Sequence, residues 1–246
     1  MFKIKSIVLC AGYATRLYPL TLNQPKPLLE VGGKPILEHL LKKIEEIDNI
    51  EEIFIVSNTK FYNHFIKWVN NYKSTKKITV VNDQTSSNED RLGSMGDIQF
   101  VIEHEKIDDD ILVVAGDNLF EFSLMEVADL FNIKRKTVVA VYDVKQKELA
   151  KQYGIVSIDN DNKIVDFVEK PQEPKSTLSS TGIYFYPKHI IPFLMNYGKS
   201  GENTDKAGNF LEWLFRNEDV FCYVSDKKWF DIGSMDQLEQ AKKNFN

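Results

Sequence analysis

The sequence predicts an α/β protein: a Rossmann-like, three-layer αβα arrangement around a mixed, mostly parallel central sheet. Three observations carry this expectation. Over residues 1–135, short apolar strand-like runs alternate with helical stripes, as in a parallel sheet buried on both faces. Over residues 136–246, strand-like runs follow one another closely, and the turn Asp159-Asn160-Asp161-Asn162 between two of them suggests a hairpin. No Pro/Gly/Ser-rich linker and no internal repeat divides the two halves, so residues 1–246 read as a single domain.

The elements follow in order. Residues 4–10 (IKSIVLC) are a first strand, and their apolar run is too short for the hydrophobic region of a signal peptide. Pro35 opens a helix, because proline is tolerated at a helix start and Ile36, Leu37, Leu40, Leu41, Ile44 and Ile47 recur at 3.6-residue spacing. Residues 53–57 are a second strand, and Phe61, Phe65, Val69 and Tyr72 mark the stripe of a second helix. Strands at 78–81 and 111–115 flank a long polar loop and a helix near 96–105. Ser123 and Glu126 read as a capping box for a helix over 124–134. In the second half, strands are expected at 137–142, 154–158, 164–168, 182–186 and 220–225, and helices at 188–196, 208–217 and 234–245.

Composition excludes several classes of function. A chain of 246 residues, 43% hydrophobic, buries a sufficient core without disulfides or a structural metal. Two cysteines, Cys10 and Cys222, form no disulfide framework, so a reducing, cytoplasmic setting is expected. Against 36 acidic residues there are only 31 Lys and Arg, a net charge of −5 with no basic cluster, which argues against a nucleic-acid or membrane-surface partner. No stretch approaches the roughly 20 apolar residues of a membrane span. A homo-oligomer is left open. Cys10 reads as a buried structural thiol. The four histidines read as packing or surface groups, Trp68, Trp213 and Trp229 as core, and Asp108-Asp109-Asp110 as a solvated loop.

Four segments carry candidate chemistry. After the first strand, in the run from Leu9 through Tyr13 to Arg16, Ala11, Gly12 and Ala14 carry little side chain, so backbone N–H groups can approach a phosphate or base, and Thr15 adds a hydroxyl. Arg16 adds a planar cation, and Lys26, held between Pro25 and Pro27, a fixed point charge. On the residues alone, a plain turn with solvated cations stands beside that reading. Asp117 lies at the carboxyl end of a buried strand, where open α/β sheets bind ligands and where a hard oxygen suits Mg²⁺; a simple turn cap is the alternative. Lys170, before a proline at a strand end, can neutralise a phosphate, Glu169 can accept from hydroxyls, and Gly154 lets a ligand approach; an exposed strand end is the alternative. Asp231 offers a second carboxylate, or a helix N-cap, a role that Ser234 or Asp236 would serve better.

In this order the segments resemble sugar-phosphate nucleotidylyltransferases. LCAGYATRLYPLT followed by PKPLLEVGGKPIL is similar to the family's strand, AGG-x-GTRL-x-PLT and PKP. AGDNLF resembles LGDN-(I/L)-F, YGIV with VEKP resembles YG-x-V with EKP, STGIYFY resembles TG-(I/L)-YFY, WFDIGS resembles W-(L/F)-D-(T/I)-GT, and LGSMGD resembles LGTAGA. Tyr13 and Ala14 depart from the usual loop glycines, which makes the loop bulkier. The resemblance implies a nucleotide-diphospho-sugar transferase (GT-A-like) fold, with 1–135 binding the nucleotide and 136–246 the sugar phosphate, in the short form of the family.

The resemblance further implies a Mg²⁺-dependent enzyme that makes an NDP-sugar and pyrophosphate from an NTP and a sugar 1-phosphate. The EKP and TGIYFY blocks look most like the thymidylyltransferase branch, which favours dTTP or UTP with glucose 1-phosphate. Arg16, Lys26, Asp117 and Lys170 would be catalytic, and Asp117 and Asp231 would hold the metal. Leu9, Ala11, Gly12, Tyr13, Ala14, Thr15, Arg16, Lys26, Gln84, Gly93 and Asp117 would border the nucleotide, with Gln84 or Asn88 at the base edge. Asn118, Gly154, Glu169, Lys170, Ser180 and Thr181 would hold the acceptor. A CTP-dependent cytidylyltransferase acting on choline phosphate or another phosphorylated small molecule is a second enzyme reading. A catalytically silent nucleotide-sugar sensor is a reading of another class, against which the retained charges argue.

Overall fold

In the computed structural model, which describes residues 2–199 and 201–245, successive strand residues divide between two helical layers. Ile7 of β1 (Ile4–Leu9) joins one core and Val8 the other. The same division separates Val113 from Leu112 and Val114 in β6 (Asp110–Ala115), and Tyr184 and Tyr186 from Ile183 and Phe185 in β11 (Leu178–Tyr186). A strand buried on both faces therefore has no polar side, which is why these runs are apolar throughout. Helices α3 (Gly93–His104), α6 (Ile191–Asn196) and α7 (Ala207–Leu214) supply Ile98, Leu194 and Phe210 to one core. Helices α1 (Ile36–Glu45), α2 (Tyr62–Val69) and α4 (Leu124–Lys134) supply Leu40, Phe65 and Phe131 to the other.

The central sheet has nine strands. Its first part is parallel: β5 (Lys77–Asn82), β4 (Ile50–Ser57), β1 and β6 lie side by side. β11 runs antiparallel to β6 and carries the mixed remainder, β8 (Thr137–Asp143), β9 (Gly154–Ile158), β10 (Ile164–Glu169) and β12 (Val220–Ser225). Between β9 and β10 the expected hairpin turns on Asp159, whose Oδ1 accepts from the N–H of Asp161 and of Lys163, with Asn162 in the left-handed region. Two small ribbons complete the fold. One pairs β2 (Glu30–Val31) with β3 (Lys34–Pro35), and the other pairs β7 (Asn118–Phe120) with β13 (Trp229–Asp231). A short α5 (Lys147–Ala150) and the final α8 (Met235–Asn244) pack at the periphery.

Several expectations shift. β4 begins at Ile50, and β11 reaches back to Leu178 across a bulge where Gly182 adopts positive φ. The helix expected at 188–196 is a short 3₁₀ turn (Lys188–Ile190) followed by α6, with Pro192 at its start. Asp110 is no solvated loop residue. It begins β6, is 3% exposed, pairs with Arg135 at 2.9 Å and accepts from the Lys188 N–H at 2.8 Å. The capping box is half realised: Ser123 accepts from the Met125 N–H, while Glu126 turns to the Tyr223 hydroxyl instead of back to the cap. Trp68, Trp213 and Trp229 are partly buried rather than core, because each edges one of the two layers or a cavity. No described helix is long and apolar enough to cross a membrane.

Candidate active site

The loop after β1 lies at the carboxyl edge of the parallel strands, beside the end of β6. Gly116 makes that approach possible: its N–H donates to Leu9 O at 2.9 Å, and a Cβ there would sit 2.5 Å from Cys10 Sγ and 2.8 Å from Leu9 O. Cys10 is buried, and burial raises its thiol pKa well above the ordinary value, so it is inert packing. Ala14 takes left-handed φ (49°) at the start of the 3₁₀ turn Thr15–Leu17, a conformation strained for alanine and free for glycine. The Thr21 hydroxyl braces Ala14 O at 2.8 Å. A Cβ on Gly12 would meet nothing within 4 Å, so the outer side of the loop is open.

Asp117 leaves β6 into the turn before β7, and Asp231 ends β13. Pairing of these two short strands brings the carboxylates together: Asp231 sits opposite Asn118, and the Ile232 N–H donates to Asp117 O at 3.2 Å. Lys26 Nζ reaches Asp117 Oδ2 at 2.6 Å across 91 residues of sequence. Burial and then the Asp117 charge raise the Asp231 pKa to about 6, against the pull of Lys26, Arg16 and Lys170. An Arg16 Nη lies 3.5 Å from where a Gly233 side chain would begin. Ser234 is the N-cap of α8, accepting from the Gln237 N–H, so Asp231 has no capping duty.

These residues fit a divalent, hard cation. Two oxygen donors stand together under a burial cost that a cation would relieve, and no cluster of three or more His, Cys, Asp or Glu suited to a metal occurs among the described residues. A site with two carboxylates and room for phosphate and water oxygens suits Mg²⁺ better than an all-protein cage.

Beside the pair opens a cavity of about 290 Å³, lined by Leu9, Asn118, Gly154, Glu169, Lys170, Ser180 and Thr181 together with both aspartates. Lys170 takes positive φ (52°), and its N–H donates to Tyr153 O at 3.0 Å, which tethers the strand end beside the YG segment. Glu169 is wedged between two glycines. A Cβ on Gly154 would lie 2.9 Å from its Oε2, and one on Gly208 would collide with it outright. Lys206 pairs with its other oxygen at 3.5 Å. Asn118 donates to Thr181 O at 2.5 Å and accepts from Trp229 Nε1 at 3.1 Å, so both ends of its amide are spent inside the protein. Ser180 donates to the Tyr184 hydroxyl at 3.2 Å, and Thr181 to Ala140 O at 2.9 Å.

The base-side residues divide. Tyr13 turns inward, 6% exposed, with its hydroxyl 3.4 Å from Thr85 Oγ1. Gln84 is exposed at left-handed φ (69°), its N–H held by Asn82 Oδ1. Asn88 O accepts from Arg91. Gly93 also has positive φ, but the space left by its missing side chain is filled by the chain itself: a Cβ there would lie 2.6 Å from Asp205 Cα.

Trp229, Tyr153, Lys206 and Gln152 line the cavity and were not foreseen from sequence. Trp229 reads as core in the sequence. Tyr153 was read only as the neighbour of Gly154. Lys206 has no motif around it, and only the seat of Gly208 against Glu169 brings it in.

Comparison with known proteins bears on the family and the fold. The model of a family described as nucleotidyl transferase matches residues 5–246. The bifunctional protein GlmU of Methanocaldococcus jannaschii is 32% identical over 239 residues, covering 97% of this chain and 53% of its own length. A UTP–glucose-1-phosphate uridylyltransferase of Synechocystis is 28% identical over 248 residues, covering 97% of this chain and 62% of its own length. The chain thus spans about half the length of the GlmU relatives it matches. Among solved structures, one from Bacillus anthracis assigned as a glucose-1-phosphate thymidylyltransferase superposes with TM-score 0.82 at 25% identity, covering 98% of this chain and 94% of that one. A UDP-glucose pyrophosphorylase shares the fold with TM-score 0.81, covering 99% and 98% of the two chains.

Proposed function

Because the chain belongs to the nucleotidyl transferase family, we propose that its cavity joins an NTP to a sugar 1-phosphate, releasing pyrophosphate and an NDP-sugar. The observation that carries the reading is that Lys26 pairs with Asp117, and that Asp117 and Asp231 line one cavity with Lys170 and Glu169. UTP or dTTP with glucose 1-phosphate is the favoured pair, in keeping with the names of the Synechocystis and Bacillus anthracis relatives.

The chemistry needs no covalent enzyme intermediate. An oxygen of the sugar phosphate attacks the α-phosphorus in line with departing pyrophosphate, so the protein's work is alignment and charge neutralisation. Arg16, at the outer loop, holds the β- and γ-phosphates. Lys26 holds the α-phosphate region, exchanging its contact with Asp117 for one with substrate. Lys170, on its strained strand end, holds the attacking phosphate. Asp117 and Asp231 would hold Mg²⁺, which when bound supplies charge neutralisation on the phosphates. Glu169, kept in place by Gly154, Gly208 and Lys206, accepts from sugar hydroxyls.

A second reading, cytidylyl transfer to choline phosphate, draws on the Tyr153, Tyr184 and Trp229 rings in the cavity wall, which suit a quaternary ammonium. Lys170 and Lys206 in the same wall oppose a cation and favour the sugar. Pyrophosphate release across four NTPs, each with glucose 1-phosphate, N-acetylglucosamine 1-phosphate, mannose 1-phosphate and choline phosphate, tests both. Turnover with a sugar phosphate supports the first; turnover confined to CTP and choline phosphate replaces it. No turnover with any pair, alongside nucleotide binding, replaces both with a sensor.

A further inference from the structure

Two bulky or charged departures from the resembled motifs, Tyr13 for a loop glycine and Asp97 for the last alanine of LGTAGA, lie far apart in sequence and at the two ends of one buried chain of polar contacts. Thr85 donates its N–H to Asp83 Oδ1 at 2.7 Å and its hydroxyl to the same oxygen at 2.8 Å. That leaves Thr85 Oγ1 to accept from the Tyr13 hydroxyl at 3.4 Å. On its other side, Asp83 meets the carboxyl of Asp97, which α3 carries in from the opposite element. All four residues are at most 7% exposed, and Asp97 Oδ1 has no partner at all.

Among the described residues, no cation forms a salt bridge with either carboxyl. The charged and titratable groups around it are Asp90 from the loop after β5, Tyr13 (itself near Glu89) and Cys10 from β1 and its loop, and, beyond Cys10, Asp117 with its partner Lys26. Two buried carboxyls in contact without a cation cannot both ionise. Asp83 already accepts two hydrogen bonds from Thr85, so it is the ionised member, and Asp97 keeps the proton and donates.

We propose that Asp83 and Asp97 share one proton and act as positioning residues for the nucleotide, fixing Thr85 and Tyr13 as the wall between the loops after β1 and β5 against which the base rests. The inference rests on the nucleotide-transfer reading and adds a device to it. Loss of the proton sets two buried carboxylates against each other and loosens Thr85, whose O accepts from the Thr59 N–H at 2.9 Å, and with it the base-side wall.

The test is calorimetric binding of UTP, dTTP and CTP to the whole protein, each with excess Mg²⁺, from pH 7 to pH 9. Asp231, at about 6, titrates mostly below this window. Burial and the Asp83 charge raise the Asp97 pKa to about 8, so affinity for whichever NTP binds should fall roughly tenfold across the window. Asp97→Asn keeps a donor toward Asp83 that cannot ionise, and should flatten the slope to less than about twofold. At saturating NTP, kcat should follow the same pH profile in both proteins. A flat wild-type profile overturns the proposal whether or not the variant folds. So does a slope that persists in Asp97→Asn, or one carried in kcat instead of affinity. Binding of no NTP at any pH would remove the nucleotide-transfer reading itself, and this inference with it.

Discussion

Two of the neighbouring carboxylate pairs, built from the same residue type, are opposite in design. Asp117 and Asp231 stand among three cations, with Lys26 at 2.6 Å from Asp117 and the charges of Arg16 and Lys170 reaching Asp231. Asp83 and Asp97 stand beside a further acid, Asp90, and no cation forms a salt bridge with them among the described residues. The first pair remains available as charge and can exchange a lysine for a metal and a phosphate. The second can persist only by keeping a proton. The difference teaches that the number of carboxylates says little about a site; what matters is whether the fold brings a positive group to meet them.

Four outcomes would sharpen or break this contrast. Asp117→Asn removes one metal donor and should lower kcat on the order of 10²–10³ or more, with the far-ultraviolet circular dichroism unchanged. Normal turnover in that variant would end the assignment of the first pair as metal-holding. Next in size, Lys26→Ala should lower kcat/KM by about 10² and move the acid limb of the rate profile upward, because a cation that lowers the Asp231 pKa is gone. An acid limb that stays put would separate Lys26 from the pair.

In the wild type the same limb should fall near pH 6. Asp231 must be ionised to hold a metal, so activity and Mg²⁺ affinity rise as pH climbs through that value. Chelation of Mg²⁺ should abolish turnover at every pH; full activity in excess chelator would refute the metal role.

The smallest expected effect is on stability. Asp97 has a folded pKa of about 8 against an ordinary 3.8. Its stabilising share is complete below the ordinary value and is lost as pH rises toward about 8. The urea midpoint of the metal-free wild type should therefore decline between pH 6 and pH 8, and Asp97→Asn should remove that decline. Equal slopes in the two proteins would mean that the second pair holds no proton.

Much of this was legible before folding, and the reasons are local. Apolar runs such as Ile111–Ala115 can only be strands buried on both faces, and the strand–helix rhythm orders the sheet. Lys26, Asp117 and Lys170 could be picked out because a chemically demanding residue sat beside Pro or Gly at an element's end, and Asp231 because WFDIGS resembles a family block. Ser123 and Ser234 were legible as caps, although Glu126 found a better partner in Tyr223 than the cap it was expected to serve. Three tryptophans misled, since hydrophobicity does not distinguish a core from the wall of a cavity.

The sequence by itself determined which elements form, which faces they bury and which short segments carry unusual chemistry, because these depend on contacts within a few residues. Only the tertiary structure decided which charges meet. It set Asp231 against Asp117, Lys206 against Glu169, and Asp83 against Asp97, through pairing of β7 with β13 and packing of α7 and α3 that no local spacing encodes. The physical reason is that a carboxylate's behaviour is set by the burial and the charges within a few ångströms of it, and those neighbours come from anywhere in the chain.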